Sequence, residues 1–205
     1  MLDVGCGLGG TSRFLAREHA CEVTGITISG RQAEMARKLT LEELGVRTPP
    51  SSDLMSYPNS GEGGGGGAVR FLELDAEKML AHFSPASGKD AAVAAPTDGE
   101  AGGPQTFDCV WISEALSHLP DKPLFFASSF ALLAGGGSSR LVIADWFRAP
   151  DLTPEQLRAD IRPIEDGMLL PQLHTTDDYV RMAEQAGFRT LQAPIDISSD
   201  VARTW

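Results

Sequence analysis

The sequence predicts an α/β fold, a mostly parallel central sheet with helices on both faces. Three observations carry that reading. Strand-like and helix-like periodicities alternate along most of the chain, a glycine-rich turn follows the opening apolar segment, and 42% hydrophobic content over 205 residues is enough for one core. Length and continued alternation predict a single domain over 1–205, interrupted by low-complexity insertions at about 48–67 and 84–105.

Leu2 to Val4 reads as the end of a buried strand, Gly5 to Gly10 as a turn, and Thr11 to His19 as a helix with Phe14 and Leu15 on its apolar side. Glu22 to Thr27 alternates and carries β-branched residues, as a strand does. Arg31 to Leu44 repeats Ala33, Ala36, Leu39 and Leu44 at helical spacing and stops at Gly45. This β-α-β-α order implies parallel pairing.

Thr48 to Gly67 contains Pro49-Pro50, serines and the run Gly63 to Gly67, too little apolar surface to offset the entropy of ordering, and reads as a flexible insertion. Val69 to Leu74 resumes as a strand. Ser84 to Gln105 is a second insertion, rich in Ala, Gly and Pro. Phe107 to Ile112 is expected as a fourth strand, Pro123 to Leu133 as a helix closed by Gly135-Gly136-Gly137, and Arg140 to Trp146 as a fifth strand. Asp151 to Leu170 is mixed and suited to covering a pocket. Thr175 to Ala186 is an amphipathic helix stopped by Gly187, Phe188 to Ile195 reads as a sixth strand, and Ser198 to Trp205 starts another helix. The very short first strand and the stop at Trp205 lead to the expectation of a fold truncated at both ends.

Lys and Arg number 17 against 28 Asp and Glu, a net charge of -11 that argues against nucleic acid as a partner, since binding phosphates needs clustered cations. A small-molecule substrate fits better. Cys6, Cys21 and Cys109 form no CxxC pair and the four histidines show no zinc spacing, so no metal is expected. No apolar run approaches the roughly 20 residues that span a bilayer, and the expectation is a cytoplasmic protein without a membrane span. The oligomeric state is not encoded legibly.

In Leu2-Asp3-Val4-Gly5-Cys6-Gly7-Leu8-Gly9-Gly10 an acidic residue stands two before glycines at 5, 7 and 9. Glycine lets the backbone turn sharply at the strand end and lets a ligand lie against bare main chain. Gly5, Gly7 and Gly10 also satisfy the dinucleotide pattern G-x-G-x-x-G. Asp3 separates the two readings. A pyrophosphate at a helix N-terminus is repelled by an adjacent carboxylate, whereas S-adenosylmethionine has no phosphate and carries a positive amino group and sulfonium.

Asp3 to Gly10 resembles the first motif of class I S-adenosylmethionine-dependent methyltransferases, which have a Rossmann-like fold. Val23 to Ser29 with Gln32 is similar to the second-strand segment of the tocopherol methyltransferase and cyclopropane fatty acid synthase branches. Phe71 to Ala76 resembles the segment whose aspartate meets the adenine amino group. Phe107 to Lys122, with Glu114, His118 and Pro120, looks like the fourth strand and following loop of the tocopherol and sterol branches.

The resemblance implies S-adenosyl-L-methionine as cofactor. It assigns contacts to Asp3, Gly5, Cys6, Gly7, Gly9, Thr27, Ile28, Gln32, Asp75 and Ala76, and acceptor-side chemistry to His118 and Glu114. Thr27 stands where many relatives carry an acidic ribose ligand, and Ser117 where the tocopherol branch often carries a second acidic residue. Plainer roles stay open: Ser29 as a helix cap, Asp75 as a loop residue, Glu114 at a helix start and His118 as packing. Trp146, Phe147 and Trp205 are candidates to line an apolar acceptor pocket, and His174 reads as a loop or surface histidine. Family members usually carry an N-terminal helical segment that closes over the cofactor, and the expectation is a chain without it.

The implied activity is methyl transfer to a small hydrophobic metabolite such as a phenol, sterol or alkaloid. Two rivals remain, a non-catalytic cofactor-binding relative and an NAD(P)-dependent oxidoreductase. Asp3 and Thr27 both oppose the latter, which wants an apolar residue at the first position and an acid at the second.

Overall fold

The computed structural model describes residues 1–46, 50, 53–58, 66–84, 105–135 and 137–202. Six strands, β1 (Leu2–Val4), β2 (Glu22–Thr27), β3 (Met55–Ser56), β4 (Ala68–Glu73), β5 (Cys109–Ser113) and β6 (Arg140–Ala144), join one sheet in the order β3-β4-β2-β1-β5-β6. β3 runs antiparallel to β4, and every other pairing is parallel. β1 lies inside the sheet, so the chain leaves it toward β2 on one side and reaches β5 on the other.

The period of two along each strand feeds two cores. Leu2 and Val4 of β1 join Ile26, Val110 and Ile112 beneath α3 (Met79–Phe83), α4 (Lys122–Leu132) and α7 (Thr176–Gln185), where Phe125, Phe126 and Tyr179 pack. Val23, Val69 and Phe71 form the other core with Ala16 of α1 (Gly10–His19) and Ala36 of α2 (Gly30–Leu44). Asp3, between Leu2 and Val4, is turned to the α1 side and meets Ser12 there.

The helix ends follow sequence signals. Ser29 caps α2 by accepting from the Gln32 amide at 3.3 Å, and Gly45, left-handed at φ 67°, stops it. Asp121 caps α4 by accepting from the Leu124 amide at 2.9 Å. Thr175 and Asp178 form a reciprocal capping box on α7.

Two expectations need correction. The stretch read as a flexible insertion at 48–67 contains β3, paired with Val69 and Ala68, and its Met55 and Tyr57 are buried in the α1/α2-side core. Composition averaged over the window hides two large side chains two residues apart on one face. Residues 47–49, 51–52, 59–65 and 85–104 lie outside the described set, as does most of the second insertion. The sixth strand expected at Phe188 to Ile195 does not form. Leu191 and Ile195 are 57% and 69% exposed, Pro194 offers no amide to a ladder, and Phe188 packs edge-on against Phe130 at 5.2 Å. β6 pairs with β5 alone.

Asp151 to Leu170 is indeed mixed: α5 (Pro154–Gln156), a π-helical turn over Leu157–Ile161, and α6 (Arg162–Met168). α8 (Ser198–Val201) closes the described chain. No helix among the described residues is long and apolar enough to cross a membrane.

Candidate active site

A cavity of about 600 Å³ opens at the carboxyl ends of β1, β2, β4 and β5, the crevice created where the connections leave β1 in opposite directions. Val4 and Gly5 line it from β1, Ile26 and Thr27 from β2, Leu74 from just beyond β4, and Ile112 from β5. Nine residues singled out from sequence meet there: Gly5, Gly7, Thr27, Ile28, Gln32, Asp75, Ala76, Glu114 and His118.

The glycine turn is fixed by its neighbours. The amides of Gly5 and Cys6 both donate to the Ile26 carbonyl at 2.9 Å, which ties the turn to β2. Gly5 adopts φ 73°, and a Cβ placed on it would overlap the Cβ of Ala115. Gly9, at φ 74°, lies against the ring of Phe71, which a Cβ would approach to 2.5 Å. Gly9 therefore shapes the turn from behind without lining the cavity. Cys6 also packs behind it: the thiol is half-buried, and burial, reinforced by the charge of Asp3, pushes its pKa up to about 12. It is unreactive at neutral pH.

Asp3 is likewise absent from the cavity wall. It is 3% exposed and accepts a hydrogen bond from Ser12 Oγ at 2.5 Å. Burial raises its pKa from 3.8 to about 6, a shift that the Ser12 bond opposes. The folded chain thus holds this proton more tightly than the unfolded chain. Between pH 4 and 6 it binds more protons, so stability falls as pH rises through that window, by about 3 kcal/mol in total. Replacing Asp3 with asparagine removes that cost and weakens the Ser12 bond, worth about 1 kcal/mol. The variant is expected to gain about 2 kcal/mol at pH 7 and to lose the pH slope, measured by urea unfolding at pH 4.5 and 7.

The second cluster is held at the end of β2. Thr27 Oγ1 donates to Gln32 Oε1 at 2.8 Å and accepts from the Ser29 amide at 3.3 Å. Ser29 is a helix cap, as the plainer reading had it, and its cap also fixes Gln32. Ile28 is 74% exposed on the cavity rim and offers an apolar surface. Across from it, Asp75 caps the short 3₁₀ turn Ala76–Lys78 by accepting from the Glu77 amide at 3.0 Å.

Glu114 follows β5 directly, and His118 ends the 3₁₀ turn Leu116–His118 just beyond it. Both are exposed and both line the cavity. Glu114 sits at φ 51°, a left-handed conformation costing a non-glycine residue on the order of 1 kcal/mol, and its amide donates to Ala144 O at 2.8 Å.

Sequence reasoning missed Glu77 and Leu119, which also line the cavity, as does Pro120, singled out only as part of the motif and given no role. Glu77 lies only two residues past Asp75 at the same strand end, a spacing that could have flagged it. Trp146 and Phe147 do not line the cavity; Phe147 packs against Tyr179 with ring centroids 5.0 Å apart. Trp205 lies outside the described residues. His174 is in a loop, half-buried, with Nδ1 3.8 Å from Asp178, and burial lowers its pKa.

The charges of the wall are one-sided. Asp75, Glu77 and Glu114 contribute carboxylates, and no Lys or Arg is among the lining residues. A diphosphate would find no counter-charge there, whereas a cationic ligand would.

Residues 1–193 match the family model described as a methyltransferase domain. The chain is 28% identical to the chloroplastic tocopherol O-methyltransferase of Arabidopsis thaliana over 213 residues, covering 100% of this chain and 48% of that protein. It is 33% identical to the 2-methyl-6-phytyl-1,4-hydroquinone methyltransferase of Synechocystis over 151 residues, covering 74% of this chain and 33% of that protein. The chain thus spans about half or less of the length of these curated relatives. Among solved structures, Haemonchus contortus phosphoethanolamine N-methyltransferase 2 in complex with S-adenosyl-L-methionine superposes with a TM-score of 0.59 at 19% identity, covering 92% of this chain and 32% of that one. That likeness establishes the fold.

Proposed function

Because this chain belongs to the methyltransferase domain family, we propose that it transfers a methyl group from S-adenosylmethionine to a small, hydrophobic acceptor such as a phenol or sterol. The observation that carries the reading is the cavity at the sheet switch point, walled by Asp75, Glu77 and Glu114 and free of Lys and Arg among its lining residues. The curated relatives named for tocopherol and a phytyl hydroquinone support a prenylated phenol as the acceptor. When bound, S-adenosylmethionine supplies an electrophilic methyl group on a sulfonium.

The chain's own residues would bind and orient. The bare backbone at Gly5 and Gly7 gives close approach, the Thr27–Gln32 pair offers polar groups to a ribose, Ile28 offers an apolar face to a base, and Asp75 accepts from an exocyclic amine. His118 would take a proton from the acceptor, and Glu114 would orient the acceptor. Rate acceleration comes chiefly from holding the acceptor in line and excluding water.

The test is methyl transfer from labelled S-adenosylmethionine to 2-methyl-6-phytyl-1,4-hydroquinone. His118→Ala is expected to reduce kcat about 100-fold, within the usual range for losing a general base, while leaving cofactor affinity within a few-fold. Equal losses of binding and turnover would contradict the role given to His118. Cofactor binding without transfer to any prenylated phenol or sterol would favour the non-catalytic reading instead.

A further inference from the structure

Lys122, the first residue of α4, is 2% exposed, an uncommon place for an ammonium group. Removing a charge from water costs several kcal/mol unless its donors are used. Here Nζ donates to the carbonyl of Leu119 at 3.0 Å and to that of Ser117 at 3.4 Å. These carbonyls are the two that flank His118. The Ser117 amide in turn donates to Asp145 Oδ2 at 3.1 Å, while Asp145 Oδ1 accepts from the Trp146 amide at 2.7 Å. Ser117 is therefore gripped from both sides, by a cation at its carbonyl and an anion at its amide.

An apolar residue would fill the same space at lower cost, since exchanging buried charges for hydrophobic groups is often neutral or stabilising. The charge is spent on the backbone of one turn. We propose that Lys122 is a positioning residue that, with Asp145, locks the Ser117–Leu119 turn and so holds His118 against the cavity. Its catalytic consequence rests on the role given to His118 above; the locking itself does not.

The experiment compares wild type, Lys122→Met, Lys122→Arg, His118→Ala and the Lys122→Met/His118→Ala double variant. Amide hydrogen exchange is read at His118 and Leu119, which donate to Ala115 and Leu116 carbonyls at 3.2 and 3.1 Å. Lys122→Met is expected to speed exchange at these two amides about tenfold, the equivalent of one lost hydrogen bond, with the interior amides of α4 unchanged and Tm not lowered. Lys122→Arg, which keeps charge and donors, should restore most of the protection.

With 2-methyl-6-phytyl-1,4-hydroquinone as acceptor, Lys122→Met should lower kcat about tenfold at unchanged KM for S-adenosylmethionine, with no further loss in the His118→Ala background. Faster exchange spread evenly through α4 with a lower Tm, or the same kcat loss with and without His118, would overturn the inference. Should Lys122→Met fail to fold, Asp145→Asn is expected to give the local acceleration at Ser117, and its absence would be equally decisive. Unchanged exchange beside normal methyl transfer sinks this proposal alone. Altered exchange in a wild-type background that binds no S-adenosylmethionine sinks the proposed function and not the locking.

Discussion

Replacing Gly5 with valine is expected to weaken S-adenosylmethionine binding about 1000-fold, equivalent to about 4 kcal/mol. Two costs combine. At φ 73° an L side chain is strained by 1–2 kcal/mol, more for a β-branched one, and the added Cβ would overlap that of Ala115. Neither atom can rotate away, because both are attached directly to backbone. Relief requires the glycine turn and the loop carrying Glu114 to separate, which moves two walls of the cavity at once. Gly7 provides the control. It is also left-handed, at φ 54°, but a Cβ there meets no protein atom within 4 Å, so Gly7→Ala should weaken binding less, through the conformational cost of about 1 kcal/mol and the one methyl it adds to the cavity wall. Isothermal titration calorimetry on both variants, with circular dichroism to confirm folding, separates clash from strain. Equal losses in the two would contradict the packing argument.

Phe71→Ala is expected to destabilise the protein by about 3–5 kcal/mol, the range for removing a fully buried aromatic side chain. Phe71 is 0% exposed and lies at the centre of the α1/α2-side core. Its ring occupies the space that two glycines leave open: a Cβ on Gly9 would meet it at 2.5 Å and one on Gly25 at 2.8 Å. The cavity made by truncation therefore lies directly behind the cofactor turn, so affinity for S-adenosylmethionine should fall as well. Urea unfolding measures the first effect and calorimetry the second. Gly25→Ala should cost less in a Phe71→Leu background than in wild type, because Leu withdraws the atoms that the new methyl would strike.

The strands and helices that surround the cavity were legible because their signals are local. β2 appears at Glu22–Thr27, where alternation placed it, and α2 runs from the Ser29 cap to Gly45. β3 was hidden, since two residues carry too little pattern and their pairing with β4 is a tertiary fact. The misjudged strand at Phe188 to Ile195 has the converse cause: apolar residues there could alternate as a strand does, yet local pattern says nothing about whether a neighbouring strand buries them.

Many of the residues that line the cavity were legible too, because glycines and acids at strand ends mark a ligand crevice in a parallel sheet. What sequence could not supply was depth. Asp3 belongs to the first motif, yet it is buried against Ser12 and is not part of the cavity wall. Glu77 lay outside every motif and Lys122 only closed one, with no role assigned to either; the first lines the wall and the second is buried at the start of α4. The difference between touching a ligand and supporting what touches it depends on side-chain direction.

The central claim is that the crevice takes a cationic, phosphate-free nucleoside. Calorimetric titration of the wild-type chain with S-adenosylmethionine and, separately, with NAD and NADP at pH 7.5 tests it most directly. The account predicts saturable one-site binding of S-adenosylmethionine, strengthening as pH rises through about 6 where Asp3 ionises, and no binding of either dinucleotide. Heat from a dinucleotide with none from S-adenosylmethionine would contradict it.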